Sequence, residues 1–355
     1  MKTYGEPILR LGYLNLDHDG GKEEEPGKLP GPWSEAMHDY LMPRQFDWLG
    51  LGEMTHSQWR LPSPDATVEE LAAFELEKEA ANRRFGAVRT VLGMRGVRAP
   101  KGQGNNPTGL FWRESTFDFV EAHTPLGVGR TPPTDVVLRL RNGPRREIVT
   151  ESWHDSYCSR NTRMEEADTR TGLADKVKIK LGADPELRGK AFLGAGDFND
   201  EPMPVGETIQ PIDWNSSEIT DTSHRWHRAI PQPDGSWVSQ TYTDRALSEC
   251  GMWDPARYAA RVHGQISALD PTSGYGPNAV GQGHPQRIIR FVMDPWLVQS
   301  VLEVNVIAMD KITDHRMVEV IVAERKFSEG LERQYEPLPS WMSVAHSSLR
   351  AGQRG

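Results

Sequence analysis

The chain has 355 residues, 37% of them hydrophobic and 26% charged, with a formal net charge of −9. Such a composition describes a globular chain able to bury one large α/β core or two smaller ones, and its acidity argues against general nucleic-acid coating. No apolar run approaches the roughly 20 residues that span a bilayer, and two distant cysteines, Cys158 and Cys250, make no disulfide framework.

The opening MKTYGEPILRLGYLNLDHDGG lacks a long apolar segment, so no cleaved secretion signal is expected and a cytoplasmic location is the default. In chain order, ILRLGYLNL (8–16) reads as a strand and 20–32 as a loop. A short helix is expected around Trp33 to Leu41, and FDWLGLGEM (46–54) reads as a second strand. Apolar residues at helical spacing predict a helix over 67–85. After it come a loop-rich stretch at 93–109 and a strand at TGLFWRE. Two β-rich runs around Asn142-Gly143-Pro144 predict an antiparallel hairpin, and 163–181 a helix returning to the strand AFLGAGDFND. Residues 201–285 are rich in Pro, Gly, Ser and Asp, with YTDRALSECGM their most regular piece. QRIIRFVM, SVLEVNVIAM and HRMVEVIVAE then read as strands. Interleaved strands and helices favour one layered α/β domain over 1–326, with 327–355 as a tail.

AFLGAGDFNDEP (191–202) carries an apolar, glycine-containing strand straight into polar groups. Alternation sends Asp197 and Asn199 to one face and Phe198 to the other. The glycines suggest close approach to the backbone, and an Asx turn is the plainer reading. Polar residues recur at other strand ends: Asn15 and Asp17, Glu53, His154, then Asp314 and His315. Together they supply hard oxygen ligands and two imidazoles without cysteine, which implies Mg²⁺ or Mn²⁺ and suits attack of water on a phosphorus ester. Between residues 83 and 113 stand Arg83, Arg84, Arg89, Arg95, Arg98, Lys101 and Arg113 with no acid, either a solvated basic face or a phosphate-contacting loop. Trp112 reads as core or as a base-stacking platform.

The order LNLDH, GLGEMTH, TESWHDS, GAGDFND, QRIIRF and ITDHRMVEV resembles the endonuclease/exonuclease/phosphatase superfamily, the deoxyribonuclease I-like proteins, over roughly residues 8 to 325. The resemblance implies a four-layer α/β sandwich, two central mixed β-sheets flanked by helices, hydrolysing phosphodiesters or phosphomonoesters with Mg²⁺. It implies Glu53 as main metal ligand with Asn15 and Asp17 beside it and Asp314 near the metal. Asp197 would activate water, Asn199 would hold the phosphate, His154 would donate to a phosphate oxygen and His315 would complete the machinery. A nuclease acting on DNA or RNA is the first expectation, with Arg95, Arg98 and Lys101 binding substrate. A phosphatase or phosphodiesterase of small molecules or lipid head groups, and a non-catalytic binding protein, are the alternatives. Two departures stand out: Ile289 occupies the position where relatives carry the Asp that orients the catalytic His, and Gly52 stands where many carry Gln before the metal Glu. Asp294 is no obvious replacement for the missing carboxylate.

Overall fold

A computed structural model describes residues 4–23, 25, 27–123, 129–177, 189–276, 279–309 and 312–332. Its framework is two mixed sheets packed face to face. The first takes the strands β1 (Ile8–Asn15), β2 (Trp48–Gly52), β3 (Arg95–Arg98), β4 (Gly109–Trp112), β12 (Val301–Ile307) and β13 (Met317–Ala323), in the order β12-β13-β1-β2-β4-β3. The second takes β5 (Phe117–His123), β6 (Thr134–Leu140), β7 (Glu147–His154), β8 (Ala191–Asp197) and β11 (Ile289–Met293), in the order β11-β8-β7-β6-β5. Each sheet has one parallel pair, β1 with β2 and β7 with β8, and antiparallel neighbours elsewhere. This is the sandwich that the motifs imply.

Strand alternation sorts the side chains. Leu9, Leu11 and Tyr13 of β1 and Trp48 of β2 enter the core between the sheets, where they meet Ile148, Ala191, Leu193, Ala195 and Phe291 from the opposite sheet. Leu14, Leu49 and Leu51 turn outward. They lie under the α1 (Gly31–Glu35) segment, the π-helical turn that continues it to Leu41, and α2 (Val68–Leu92). A capping box between Thr67 and Glu70 starts α2, and Gly93 in the left-handed region ends it, so the helix runs past the expected end at Phe85 as far as Leu92. On the other side Val149, Trp153, Phe192 and Val292 pack under α3 (Arg160–Val177) and α5 (Tyr242–Glu249). The expected continuation of α3 through 178–181 lies outside the described residues.

The stretch 201–285 is more ordered than its composition suggests. Besides α5 it holds α4 (Thr222–Arg228), the ribbon of β9 (Ala229–Pro231) with β10 (Trp237–Ser239), and α6 (Pro255–His263), begun by Asp254 capping Ala256 N at 2.8 Å with Pro255 at the first helical position. The expected start of the tail at 327 falls inside α7 (Glu324–Glu332), whose Phe327 and Leu331 bury themselves in the central core; 333–355 lie outside the described residues. Among the described residues no helix is long and apolar enough to cross a membrane.

The glycines of β8 have a structural cause. A Cβ at Gly194 or Gly196 would fall against the indole of Trp153 on neighbouring β7, so the close approach that the sequence suggests is made by this ring. Gly52 has a comparable reason. A Cβ there would lie 2.5 Å from the Tyr13 hydroxyl. That hydroxyl crosses between the sheets, donating to Trp153 O at 2.8 Å and accepting from Asp197 N at 3.3 Å. Tyr13 therefore fills the space that a larger residue before Glu53 would need.

Gly52→Ala is expected to cost about 1–3 kcal/mol by overpacking, and Tyr13→Phe a similar amount by leaving a buried donor and acceptor unpaired. Because the added methyl meets the hydroxyl itself, the double variant should cost clearly less than the sum. Urea unfolding of the four proteins measures this, and strict additivity would show that the two groups do not compete for one space.

Candidate active site

Register and parity carry the site residues to one end of the sandwich. Asn15 ends β1 on the same face as Leu9, Leu11 and Tyr13, and His154 ends β7 on the inward face. Asp197 ends β8 with Ala191, Leu193 and Ala195, and is paired in register with His154 on one side and Ile289 on the other. Two sheets whose inward faces pack together must bring these ends within reach of each other.

The centre is the Asn15 amide. Its Nδ2 donates to Glu53 Oε1 at 3.1 Å and to Asp197 Oδ2 at 3.1 Å, and lies 3.4 Å from His315 Nε2. Its Oδ1 accepts from Asp17 N at 3.1 Å. His154 Nε2 lies 3.1 Å from Glu53 Oε1, 3.9 Å from Asp197 Oδ2 and 3.3 Å from Asn106 Nδ2. Burial alone would push His154 down, but the hydrogen bond to Glu53 and the charges of Asp197 and Glu53 outweigh it and raise its pKa to about 9. Burial likewise works against ionised Glu53, yet the His154 hydrogen bond and charge hold it well below the usual carboxylate range. The two form an imidazolium–carboxylate pair.

Asn199 behaves differently from the strand reading. The strand ends at Asp197, and Asn199 sits at φ 49 with its N donating to Asp197 Oδ1 at 2.9 Å, so the Asx turn is real and the polar display is carried by the turn. Its Nδ2 donates to Asp155 O at 2.8 Å and its Oδ1 accepts from Arg228 Nη2 at 2.6 Å. Those two partners fix which end of the amide is which and leave one Nδ2 hydrogen for a further acceptor. Asp17 (φ 45) and Glu53 (φ 53) also occupy the left-handed region, which costs a non-glycine residue on the order of 1–3 kcal/mol and clusters at functional positions.

Asp17, His18 and Glu53 can each offer a ligand atom, all within 4.8 Å of one another. Two carboxylates and one imidazole fit a hard divalent cation, with the imidazole suiting Mn²⁺ at least as well as Mg²⁺. His18 is absent from the sequence-derived ligand set; it stands in the LNLDH run beside Asp17 and could have been read from that adjacency. Asn15, expected as a ligand, has its Nδ2 engaged by Glu53 and Asp197, while its Oδ1 accepts from Asp17 N and keeps a second lone pair. Asp314 has its Oδ1 3.5 Å from His315 Nε2, and its charge, after burial and Glu53, helps to raise the Asp17 carboxyl.

His315 Nε2 lies 3.8 Å from Asp197 Oδ2, while its Nδ1 is buried with no hydrogen-bond partner. Ile289 is buried in the central core, its N–H donating to Thr272 Oγ1 at 2.8 Å, and Thr272 O accepts from Arg316 N at 2.7 Å. The apolar side chain thus lies next to the His315 segment and offers its ring nothing. Asp294 is engaged elsewhere, with Arg146 and Trp296 N.

The basic segment does not gather at these residues. Arg84 is buried, donating to Asp19 O and Gly21 O at 3.1 and 2.6 Å. Arg98 donates to Ser57 O and Ala81 O and stacks over Trp59 at 4.4 Å, Arg95 meets Glu114 at 3.1 Å, and Lys101 lies 3.8 Å from Glu77. Arg95 sits at the Trp48 and Trp112 end of its sheet, away from Glu53. Trp112 is buried and stacked on Phe119, which removes it as a base platform. A cavity of about 270 Å³ instead opens from Glu53, His154, Asn199 and His315 toward the 201–285 region, bounded there by Ile212, Trp214, His224, Arg228 and His284.

No protein-family model matches the sequence, and no curated protein matches it significantly. Solved structures do. An AP endonuclease from Archaeoglobus fulgidus superposes with a TM-score of 0.51 at 12% identity, covering 88% of this chain and 99% of that one. An endonuclease/exonuclease/phosphatase family protein from Bacteroides thetaiotaomicron superposes with a TM-score of 0.50 at 13% identity, covering 90% of this chain and 96% of that one. With two mixed sheets flanked by helices, the chain has the deoxyribonuclease I-like fold of the endonuclease/exonuclease/phosphatase superfamily.

Proposed function

We propose that the chain belongs to this superfamily in activity as well as fold and is a metal-dependent hydrolase of phosphate esters. The observation that carries the reading is the Asn15 amide, which draws Glu53 and Asp197 from opposite sheets together with His154 and His315 around one open cavity. Fold alone does not assign chemistry; a convergence of two carboxylates, two imidazoles and an oriented amide does narrow it.

Asp17, His18 and Glu53 would hold Mg²⁺ or Mn²⁺, which when bound supplies positive charge opposite a developing phosphoryl oxyanion. Asp197 and His315, on one side of the cavity, would take the proton of attacking water. His154 would donate to a nonbridging oxygen, and the remaining Asn199 Nδ2 hydrogen would do the same. Two substrate readings remain physically motivated. The walled cavity supports a compact ester. A second groove of mixed charge, lined by Lys22, Glu23, Thr55, Glu77, Lys101 and Asn105, lies beyond Thr55 and is where a nucleic-acid strand would run, in keeping with the endonuclease activity for which the Archaeoglobus fulgidus protein is named.

Glu53→Gln is expected to abolish metal-stimulated turnover by about 100-fold or more, on the order of a lost electrostatic catalytic group, while leaving the unfolding midpoint close to wild type. The check is hydrolysis of bis-p-nitrophenyl phosphate, plasmid DNA and RNA across Mg²⁺ and Mn²⁺ titrations with an EDTA control. Metal-independent turnover, or turnover untouched by the substitution, would remove the reading.

Ile289→Asp is expected to raise turnover, because it gives the partnerless His315 Nδ1 an acceptor, and to lower stability by about 1–3 kcal/mol through a buried carboxylate. The gain should vanish when His315→Ala is combined with it. A cycle of the two single variants and the double variant measures the coupling directly, and an equal effect of Ile289→Asp with and without His315 would disconnect the two residues.

A further inference from the structure

The wall formed by α4 holds a cation that the proposed chemistry has not yet used. Arg160 and Arg163 of α3 donate to Ala229 O (2.9 Å) and His227 O, fastening the C-terminal end of α4 from beneath. Arg228, the last residue of that helix, is thereby fixed over Asn199. Its Nη2 donates to Asn199 Oδ1 at 2.6 Å, its Nε is buried with no partner, and it takes part in no ion pair with a carboxylate among the described residues. Several buried arginines pair directly with carboxylates, although Arg163, Arg290 and Arg84 also have an Nε without a partner. Arg170 pairs with Glu151 and Asp155, Arg290 with Asp200, and Arg287 with Glu207 and Asp254, while Arg163 spreads its charge over Ser156 O, His227 O and Gln240. Burial and then the charge of Arg163 lower Arg228 to about 10 against the charges of Asp197, Asp200 and Glu201, so it stays a cation at neutral pH. The carboxylates of Asp197, Asp200 and Glu201 act on it through space without pairing with it directly, so its remaining N–H donors are open to an anion in the cavity that it lines.

The surroundings say what sort of ligand. His224, one turn earlier on α4, lines the same cavity; burial and then the charge of Arg228 push it down to about 3, leaving a neutral imidazole tilted on Trp214 at 5.7 Å. Ile212 and Trp214 close the apolar side, and Gln282 and His284 the polar one. This is a side-walled recess of small volume, with its guanidinium at the root, directly beyond the amide assigned to the scissile phosphate.

We infer that Arg228 anchors a second phosphoryl group adjacent to the scissile one, so that the site selects compact diphosphate or bisphosphate esters over internal diesters with a single charge. The inference rests on the phosphoester reading of the site and names its substrate class. Arg228 acts here by charge-assisted, bidentate-capable hydrogen bonds to phosphate oxygens, a role that lysine fills only as a point charge.

The test is calorimetric titration of the full chain in EDTA at low ionic strength with inorganic pyrophosphate and with orthophosphate. Wild type should bind pyrophosphate about tenfold or more tightly than orthophosphate, the range of one charge-assisted contact. Arg228→Gln should lose that preference, its pyrophosphate affinity falling about tenfold further than its orthophosphate affinity, and Arg228→Lys should keep part of the preference. If Arg228→Gln fails to fold, Arg228→Lys decides alone: a preference equal to wild type would overturn the bidentate role. Equal losses for both anions would show that Arg228 serves the scissile phosphate only, and would overturn the inference, as would a wild type with no pyrophosphate preference. A parallel assay of metal-dependent hydrolysis separates the two readings. Pyrophosphate preference without any turnover sinks the hydrolase and leaves the anchor standing, whereas turnover without the preference sinks the anchor alone.

Discussion

A single side-chain amide spans the gap between the two sheets. Asn15 Nδ2 gives its hydrogens to Glu53 from one sheet and Asp197 from the other, and these carboxylates in turn face His154 and His315. Without such a donor two carboxylates at this separation would repel in a poorly solvated space. Tyr13, two residues earlier on the same face, repeats the bridge with its hydroxyl, joining Trp153 O to Asp197 N. β1 is therefore the strand on which the alignment of the two halves depends, and the distances at the site inherit whatever rigidity the inter-sheet core provides.

Around that bridge the molecule places charge in matched sets. Arg170 ties Glu151 to Asp155 and lies over the Trp153 ring at 4.3 Å, so the segment carrying His154 is gripped from the side opposite the cavity. Asp155 O then accepts from Asn199, and Asp155 N donates to Asp197 O at 2.8 Å. Such buried networks contribute little net stability when compared with apolar packing, but losing one member leaves the rest uncompensated. They keep the loops after β7 and β8 in one arrangement.

How much of this was legible beforehand varies with the range of the interaction. Strand alternation and the order of polar strand ends are local, and they led to a layered α/β domain and to Asn15, Asp17, Glu53, His154, Asp197, Asn199, Asp314 and His315 as one group, while the sandwich itself followed from the family resemblance. The fate of residues 83–113 was not legible, because the acids and carbonyls that absorb those cations, Glu77, Glu114, Asp19 and Ser57, come from other elements. Gly52 looked like a deviation for the same reason: the Tyr13 hydroxyl that occupies its side-chain space belongs to another strand. Composition hid α4, a short helix held by its Asp221 cap and an arginine–carbonyl contact at its end, whereas α6 carries an apolar face of Ala256, Tyr258 and Ala259 that the Pro- and Gly-rich surroundings masked.

Asp17, Glu53 and Asn199 all hold their side chains on a backbone twisted into the left-handed region. Glycine would relieve that backbone strain at some entropic cost. At 53 and 199 the side chain also partners His154 and Arg228, so a population enriched only for heat tolerance should drift toward glycine first at 17. Chemical competence and thermal robustness pull in opposite directions most plainly there. The residue kept there against that drift would be a record of selection for what the side chain does.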